Sequence, residues 1–335
     1  LTVEEKPTGE ISAGAGYGTT GGSMMFAIKE NNYMGRGIRL NANLSIGGDT
    51  LRGLFSVTNP NFRYSGNELR TSIQSTVTDK LTNQGFKTKK TGVTLGTNFE
   101  QYQDFYLIPT ISSFVESLET TSDASANLKK QEGDYFDTLF SYSLNYDKRN
   151  QSYQPSDGYK SIFTQTLPLV ADNQTIVNAF EYSVYHEFID DMVGNITFYT
   201  KAINSIKDED VRYSKRLYLS GRRLRGFEAG KVGPKDGSGH VGGNYLTSIN
   251  LSTTLPQILP NSQNIDFRYF VDFGNVWGVD YSDVVDESNK IRSSTGLTVD
   301  FFTPVGPLNF SISQPISKAN TDVTESFRFN LGTTF

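Results

Sequence analysis

The chain of 335 residues contains no cysteine, which excludes a disulfide framework, a thiolate metal site and a cysteine nucleophile. It also lacks an excess of positive charge, because 31 Lys and Arg stand against 36 Asp and Glu. The basic footprint of a nucleic-acid-binding protein is therefore absent. Histidine is scarce, with His186 on a predicted strand and His240 in a glycine-rich loop. Since no Ser-His-Asp arrangement or acid pair stands out, we expect no enzyme activity, no cofactor and no metal site.

Long apolar runs are missing too, and the mean hydropathy is −0.41. No run approaches the roughly 18 residues that a membrane-spanning helix needs. A membrane is not excluded by this, because a transmembrane β-barrel alternates apolar and polar residues and has a low average hydropathy. The chain begins at Leu1, and its opening residues LTVEEKPTGE contain no apolar signal segment. We therefore expect a processed chain or an excised domain.

The sequence is rich in alternation with period two, interrupted by clusters of Gly, Asn, Asp and Pro. At the end of the chain, one face would carry Phe327, Phe329, Leu331, Thr333 and Phe335. Sixteen strands are predicted, at residues 10–19, 23–30, 36–46, 51–58, 69–79, 90–100, 104–118, 136–147, 158–167, 175–188, 193–203, 243–254, 265–274, 291–302, 306–316 and 327–335. An even number of strands of about ten residues predicts an all-β fold, a 16-stranded antiparallel transmembrane β-barrel.

The predicted connections also fit a barrel. If the first strand rises from the periplasm, the longer connections fall on the opposite side, as outer loops do in such barrels. These are Leu81–Lys89, Glu119–Tyr135, Asn204–Gly242 and Asn275–Lys290. The alternative is a large soluble β-sandwich or propeller. The sequence lacks a repeat of about 40 residues, which argues against a propeller.

The longest predicted connection, Asn204–Gly242, contains the sequence LRGF, formed by Leu224, Arg225, Gly226 and Phe227. A connection of this length without periodicity is usually functional or disordered. The tripeptide Arg-Gly-Phe alone fits an ordinary solvated turn. The next predicted strand, however, carries FVDFGNVW, with Asp272 on its polar face.

Together these two motifs resemble the outer-membrane protein assembly superfamily, in which an RGF loop folds into the barrel lumen and its arginine meets the aspartate of an FxDxGxxW strand. The resemblance covers nearly the whole chain. Further matches, in family order, are Glu10–Thr19, NNYMGRG at Asn31–Gly37, SVTNPNF at Ser56–Phe62, PSDG at Pro155–Gly158, TPVGP at Thr303–Pro307 and FRFNLGTTF at Phe327–Phe335. The SVTNP segment favours the BamA branch over the two-partner secretion and TamA branches.

The resemblance implies a core component of the machinery that folds and inserts β-barrel proteins in the bacterial outer membrane. It implies a barrel domain at residues 10–335, and residues 1–9 as the end of a linker from periplasmic POTRA domains. The implied partners are nascent outer-membrane proteins, accessory lipoproteins bound through those POTRA domains, and membrane lipid. Two positions depart from the family pattern: Ser252 stands where a glutamate often lies near the loop arginine, and the last residue is Phe335 rather than Trp.

The motif residues have a physical interpretation. A loop threaded into a barrel loses about 1–2 kcal/mol of backbone entropy per ordered residue, so it needs an anchor. A charge-assisted bond between Arg225 and Asp272 would supply one. Gly226 would permit a close approach or a positive φ, and Phe227 would add an apolar wedge. The alternative is that this pair only stabilises the barrel.

The junction between the first and last strands is the second candidate site. Gly14, Gly16 and Gly18 weaken the first predicted strand, and Gly332 lies near the end of the last. An opened junction would expose backbone groups that pair with an incoming strand. The residues expected at this lateral gate are Ile11, Ala13, Ala15, Tyr17, Phe327, Phe329, Leu331, Gly332 and Phe335. In the alternatives, the glycines only curve the barrel, and the protein is a passive porin or channel, or a secretion transporter of the same superfamily.

Overall fold

The computed structural model describes residues 7–81, 85–189, 191–207, 209–237, 239–256, 265–281, 285–286, 289–303 and 306–332. Within them, sixteen antiparallel strands form a closed barrel, which confirms the predicted fold. The barrel strands are β1 (Gly9–Gly18), β2 (Gly21–Tyr33), β3 (Ile38–Gly47), β4 (Thr50–Asn59), β5 (Glu68–Lys80), β6 (Phe86–Tyr102), β7 (Phe105–Thr120), β8 (Gly133–Asp147), β9 (Gly158–Ala171), β10 (Thr175–Ile189), β11 (Met192–Ser205), β14 (Tyr245–Thr254), β15 (Ile265–Trp277), β17 (Arg292–Thr303), β18 (Gly306–Ser317) and β19 (Phe327–Gly332).

The other elements are short. Strands β12 (Lys235–Asp236), β13 (Gly239–His240) and β16 (Val285–Asp286) form a small separate sheet. Helix α1 (Ala126–Lys129) begins after Ser125, whose side chain accepts a hydrogen bond from the amide of Leu128. Two 3-10 turns lie at Phe62–Tyr64 and Tyr213–Lys215. In the described part of the chain, no helix is long and apolar enough to cross a membrane.

The alternation predicted from the sequence sorts the side chains between two faces. In β1 and β2, Ile11 lies opposite Ile28 and Ala13 opposite Phe26, and all four face outward. Ile11 is 85% exposed. Five outward aromatic side chains form a continuous row along one rim: Tyr102, Phe105, Tyr146, Tyr159 and Tyr182. An apolar outer surface with an aromatic girdle is the surface of a transmembrane barrel.

The apolar core lies inside the barrel. Residues 206–207, 209–237 and 239–244 fold into the lumen, where Leu217, Leu219, Leu224, Phe227 and Val232 are buried. They pack against lumen-facing side chains of β11, β14 and β15, namely Ile203, Leu246 and Val276. The wall strands thus present their apolar luminal residues where the loop covers them. The prediction of a long loop folded into the lumen is confirmed.

Candidate functional site

The RGF loop is anchored on a fully buried carboxylate. The guanidinium of Arg225 donates to Asp272 on β15 through two bonds, Nε to Oδ2 and Nη2 to Oδ1, each 2.7 Å long. The backbone amide of Arg225 donates to the same Oδ2 at 3.0 Å. The structure thus brings together the two charged residues that the motifs singled out.

Asn250 on β14 completes this anchor, and the sequence did not indicate it. Its Nδ2 donates to Oδ1 of Asp272 at 2.8 Å and to the backbone oxygen of Arg223 at 3.0 Å. The strand register places Asn250 opposite Asp272, whereas Ser252 lies opposite Phe270. The guanidinium carbon of Arg225 lies 3.6 Å from the centre of the Phe270 ring. A buried carboxylate with this many donors has its lost hydration replaced, which makes its burial tolerable.

The loop backbone turns sharply after Arg225. Gly226 has φ of 85°, and a Cβ placed there would lie 3.1 Å from the Cβ of Ser294. The hydroxyl of Ser294 donates to the backbone oxygen of Arg225. The glycine is therefore required by both its backbone conformation and its proximity to β17.

Beyond the turn, the loop pairs with the segment that precedes β19. The amide of Glu325 donates to the oxygen of Gly226, and the amide of Glu228 donates to the oxygen of Val323, both at 3.0 Å. Phe227 lies opposite Thr324 in this antiparallel bridge, and its side chain is buried. The loop therefore contacts the wall on β14, β15 and β17, and also the approach to the last strand.

A second anchor, which the sequence motifs did not indicate, lies on other strands. Arg212 is buried against two acids on the luminal face, Asp137 on β8 and Glu116 on β7. Its guanidinium carbon lies 4.1 Å from the centre of the Tyr135 ring. Two lumen-facing acids on neighbouring strands, with an arginine-rich loop to neutralise them, were the available signal.

Further buried groups link β17 and the loop to the connection between β18 and β19. Arg292 and Asp322 form an ion pair with both side chains fully buried, with Nε 2.9 Å from Oδ2. The imidazole Nε2 of His240 lies 2.9 Å from the oxygen of Thr321, and burial lowers the pKa of His240. Burial likewise raises the pKa of Tyr213 to about 12. The described residues contain no group of three or more His, Cys, Asp or Glu that could hold a metal ion.

The barrel closes through a junction between β1 and β19, here called the seam. Among the described residues three pairs join these strands: Gly16 with Gly332, Tyr17 with Leu331 and Gly18 with Asn330. The amide of Thr19 also donates to the oxygen of Phe329 at 3.1 Å. In contrast, β1 pairs with β2 along its whole length.

The predicted gate residues divide between the two edges of the seam. Ile11, Ala13 and Ala15 pair with β2 and have no β19 partner in the described residues. Tyr17 and Phe329 face outward across the seam, with ring centres 6.1 Å apart. The structure places these further predicted residues on the outward face of β19: Phe327 and Leu331. Phe335 lies outside the described residues.

Gly18 allows a close approach of the two strands in the seam. A Cβ at this position would lie 2.7 Å from the oxygen of Phe329 and 2.6 Å from Oδ1 of Asn330. The side-chain oxygen could rotate away, but the backbone oxygen could retreat only if β19 moved. Any larger residue at position 18 therefore opposes seam closure.

Comparison with known proteins gives a consistent result. BamA, the outer membrane protein assembly factor of Neisseria meningitidis serogroup B, is 22% identical over 384 residues, covering 100% of this chain and 48% of that protein. A SAM50-like protein of Schizosaccharomyces pombe is 24% identical over 361 residues, covering 100% of this chain and 74% of its own. The chain thus spans about half the length of the BamA relative.

The fold comparison agrees with the sequence comparison. The crystal structure of BamA from Haemophilus ducreyi lacking POTRA domains 1–3 superimposes with a TM-score of 0.90 at 24% identity. It covers 99% of this chain and 71% of that one. The resemblance to the BamA barrel is confirmed. Because the Omp85 superfamily domain matches residues 32–335, the chain belongs to the Omp85 superfamily.

Proposed function

We propose that this barrel is the membrane domain of an outer-membrane protein assembly factor, and that it folds and inserts client barrels through a lateral gate at the seam. The observation that carries the proposal is the contrast between the two edges of β1. One edge pairs with β2 from Gly9 to Gly18, and the other pairs with β19 through three residue pairs among the described residues.

The small number of seam pairs among the described residues lowers the cost of opening the seam. Each intramolecular hydrogen bond contributes only about 0.5–1.5 kcal/mol net, so fewer bonds at the seam mean easier separation than between β1 and β2. An opened seam presents unpaired N–H and C=O groups along β1, which template an incoming strand. Client insertion by this route needs no bond-making chemistry, so the proposed activity is not that of an enzyme.

In this proposal the RGF loop braces the wall while the seam opens. The contacts of Arg225, Asp272 and Asn250 tie the loop to β14 and β15. Ser294 adds a tie to β17. These contacts support a role in keeping β14, β15 and β17, on the β19 side of the seam, in register when β1 departs.

The proposed setting follows from the relatives. We place the protein in the bacterial outer membrane, with nascent outer-membrane proteins as clients and lipid around the barrel. Residues 1–9 would continue into POTRA domains that bind accessory lipoproteins. The relative from Schizosaccharomyces pombe leaves a eukaryotic membrane as the other possible location.

A disulfide lock tests the gate. Tyr17 and Leu331 lie directly opposite each other on the outward face, and the chain has no native cysteine. We expect the intact protein with Tyr17→Cys and Leu331→Cys to stop inserting client barrels when oxidised and to recover on reduction. The matched control is Phe55→Cys with Ile73→Cys, a directly opposed outward pair between β4 and β5.

The control lock should leave insertion unchanged. If the seam crosslinks completely and insertion continues at the unlocked rate, the lateral gate is wrong. A steady ion conductance that persists in the locked protein would then favour a passive channel.

A further inference from the structure

The last strand has a tie to the luminal loop that the gate proposal does not use. The segment 323–326 runs antiparallel to the loop at Gly226–Glu228 and leads directly into β19. A third backbone bond, from the amide of Val323 to the oxygen of Lys231 at 3.1 Å, extends this pairing. The RGF loop and the approach to β19 are thus joined by main-chain hydrogen bonds.

Arg328, on the luminal face of β19, reinforces this junction with its side chain. Its Nη2 donates to the oxygen of Phe227 at 3.0 Å. Its Nε donates to Oε2 of Glu325 at 2.7 Å, within an ion pair whose two side chains are 14% and 20% exposed. One guanidinium therefore contacts the RGF motif, the segment before β19 and β19 itself.

The guanidinium of Arg328 also occupies a space that a glycine leaves open. It lies against Gly221, where an added Cβ would fall 1.2 Å from Nη1 of Arg328. The backbone of Gly221 has no positive φ, so its lack of a side chain matters here for space rather than for conformation. Any side chain at position 221 would displace the guanidinium.

The ties of β19 are therefore unequal. Five residue pairs, from Leu308 with Leu331 to Ile312 with Phe327, join it to β18. Arg328 and the 323–326 segment join it to the loop, and three pairs join it to β1 among the described residues. Charge-assisted hydrogen bonds in partly buried sites are stronger than neutral ones. Among the described residues, the side of β19 that faces β1 has fewer residue pairs than the side that faces β18.

We propose that Arg328 is a positioning residue that fastens β19 to the RGF loop, so that the anchor at Asp272 determines how firmly the last strand is held. When the seam opens, β1 leaves and β19 stays with the loop. Only this last step depends on the proposed function, since the fastening itself is a property of the barrel without a client.

Hydrogen exchange of the full-length protein in lipid nanodiscs tests the fastening. We expect Arg328→Gln to speed amide exchange in peptides covering 327–332 by about tenfold, because two charge-assisted bonds are lost. Asp272→Ala should speed the same peptides by loosening the loop. If Arg328 transmits that anchor, the double variant should exchange no faster than the faster single variant.

Three further variants separate fastening from general damage. Gly221→Ala should reproduce the effect of Arg328→Gln by displacing the guanidinium, whereas Gly239→Ala is the control, since its nearest neighbour would lie at 3.9 Å. Exchanging the charges, with Glu325→Arg and Arg328→Glu, keeps an ion pair but should not restore the protection, because a carboxylate at position 328 cannot donate to the oxygen of Phe227. Each variant is shown to be folded if its unheated sample migrates faster in electrophoresis than the same sample after heating, which unfolds the barrel.

The result that overturns the proposal is independent of client insertion. Arg328 has no positioning role if Arg328→Gln leaves exchange at 327–332 unchanged, or if the factors of Asp272→Ala and Arg328→Gln multiply. If the oxidised seam lock does not stop client insertion but the exchange effects of Asp272→Ala and Arg328→Gln remain coupled, the gate is wrong and the fastening stands. If the lock stops insertion but Arg328→Gln leaves exchange at 327–332 unchanged, the gate stands and the fastening is wrong.

Discussion

The carboxylate of Asp272 is the main anchor of the RGF loop. It is fully buried and accepts hydrogen bonds from the side chain and backbone of Arg225 and from Asn250. Removing one partner of a buried ion pair leaves an uncompensated charge, which costs about 3–5 kcal/mol. We therefore expect Asp272→Ala to lower the free energy of unfolding by about that amount, as measured by urea denaturation of the refolded barrel.

A double-mutant cycle distinguishes a specific pair from two independent losses. Arg225→Ala combined with Asp272→Ala should cost clearly less than the sum of the single changes, with a coupling of about 1–3 kcal/mol. Arg268→Ala combined with Asp272→Ala is the control cycle, because the guanidinium of Arg268 lies 3.6 Å from Asp266 and faces a different part of the lumen. The effects of these two changes should add. Strict additivity between positions 225 and 272 would contradict the anchor.

At the level of secondary structure, Gly18 allows β1 and β19 to approach closely at the seam. Gly18→Ala would place a Cβ 2.7 Å from the oxygen of Phe329, a backbone atom that can move only with its strand. We expect amide exchange at Thr19, whose N–H donates to that oxygen, to rise by about tenfold.

The control for this prediction is Gly53→Ala on β4, where an added Cβ would have no neighbour within 4 Å. That variant should leave exchange at the seam unchanged. Unaltered exchange at Thr19 in the Gly18→Ala protein would show that the strands close without needing this glycine.

The strands could be predicted because alternation is a local signal. A one-residue error would move a whole strand's side chains to the wrong face, so the pattern fixes both strand and face. Strand ends were less accurate: the strand predicted at 90–100 is β6, Phe86–Tyr102. Alternation continues there into a charged rim, KTKK, that has no apolar residues to reveal it.

The site was only partly predictable for the opposite reason. The contact between Arg225 and Asp272 was expected because two motifs resembled a family pattern. Arg212 with Asp137 and Glu116 joins distant parts of the chain, and no spacing in the sequence connects them. Likewise, the role of Asn250 follows from the register between β14 and β15, which only the folded barrel defines.

For the molecule as a whole, the luminal loop joins strands that are far apart around the barrel. Arg212 binds β7 and β8, while Arg225 binds β15 and the turn after it touches β17 and the approach to β19. A loop held at both positions couples the two parts of the wall. Loosening either anchor should therefore affect the stability of the barrel beyond the local contact.

The loop should also make the barrel sensitive to acid. The buried imidazole of His240 donates through Nε2 to the oxygen of Thr321, and burial, with Lys231 and Lys235 nearby, lowers its pKa. The unfolded chain therefore takes up this proton first as the pH falls below about 6.5, and folding stability drops. Above that pH both states hold a neutral imidazole, so the group makes no pH-dependent contribution.

We expect urea unfolding to show lower stability at pH 5 than at pH 7.5, and we expect His240→Gln to reduce this difference. His186→Gln is the control, because the side chain of His186 is 73% exposed and lies on the outer wall, away from the loop. That variant should keep the full pH dependence. Equal pH dependence in the wild type and the His240→Gln protein would mean that carboxylates alone cause the loss, and that the docked loop does not respond to protonation of His240.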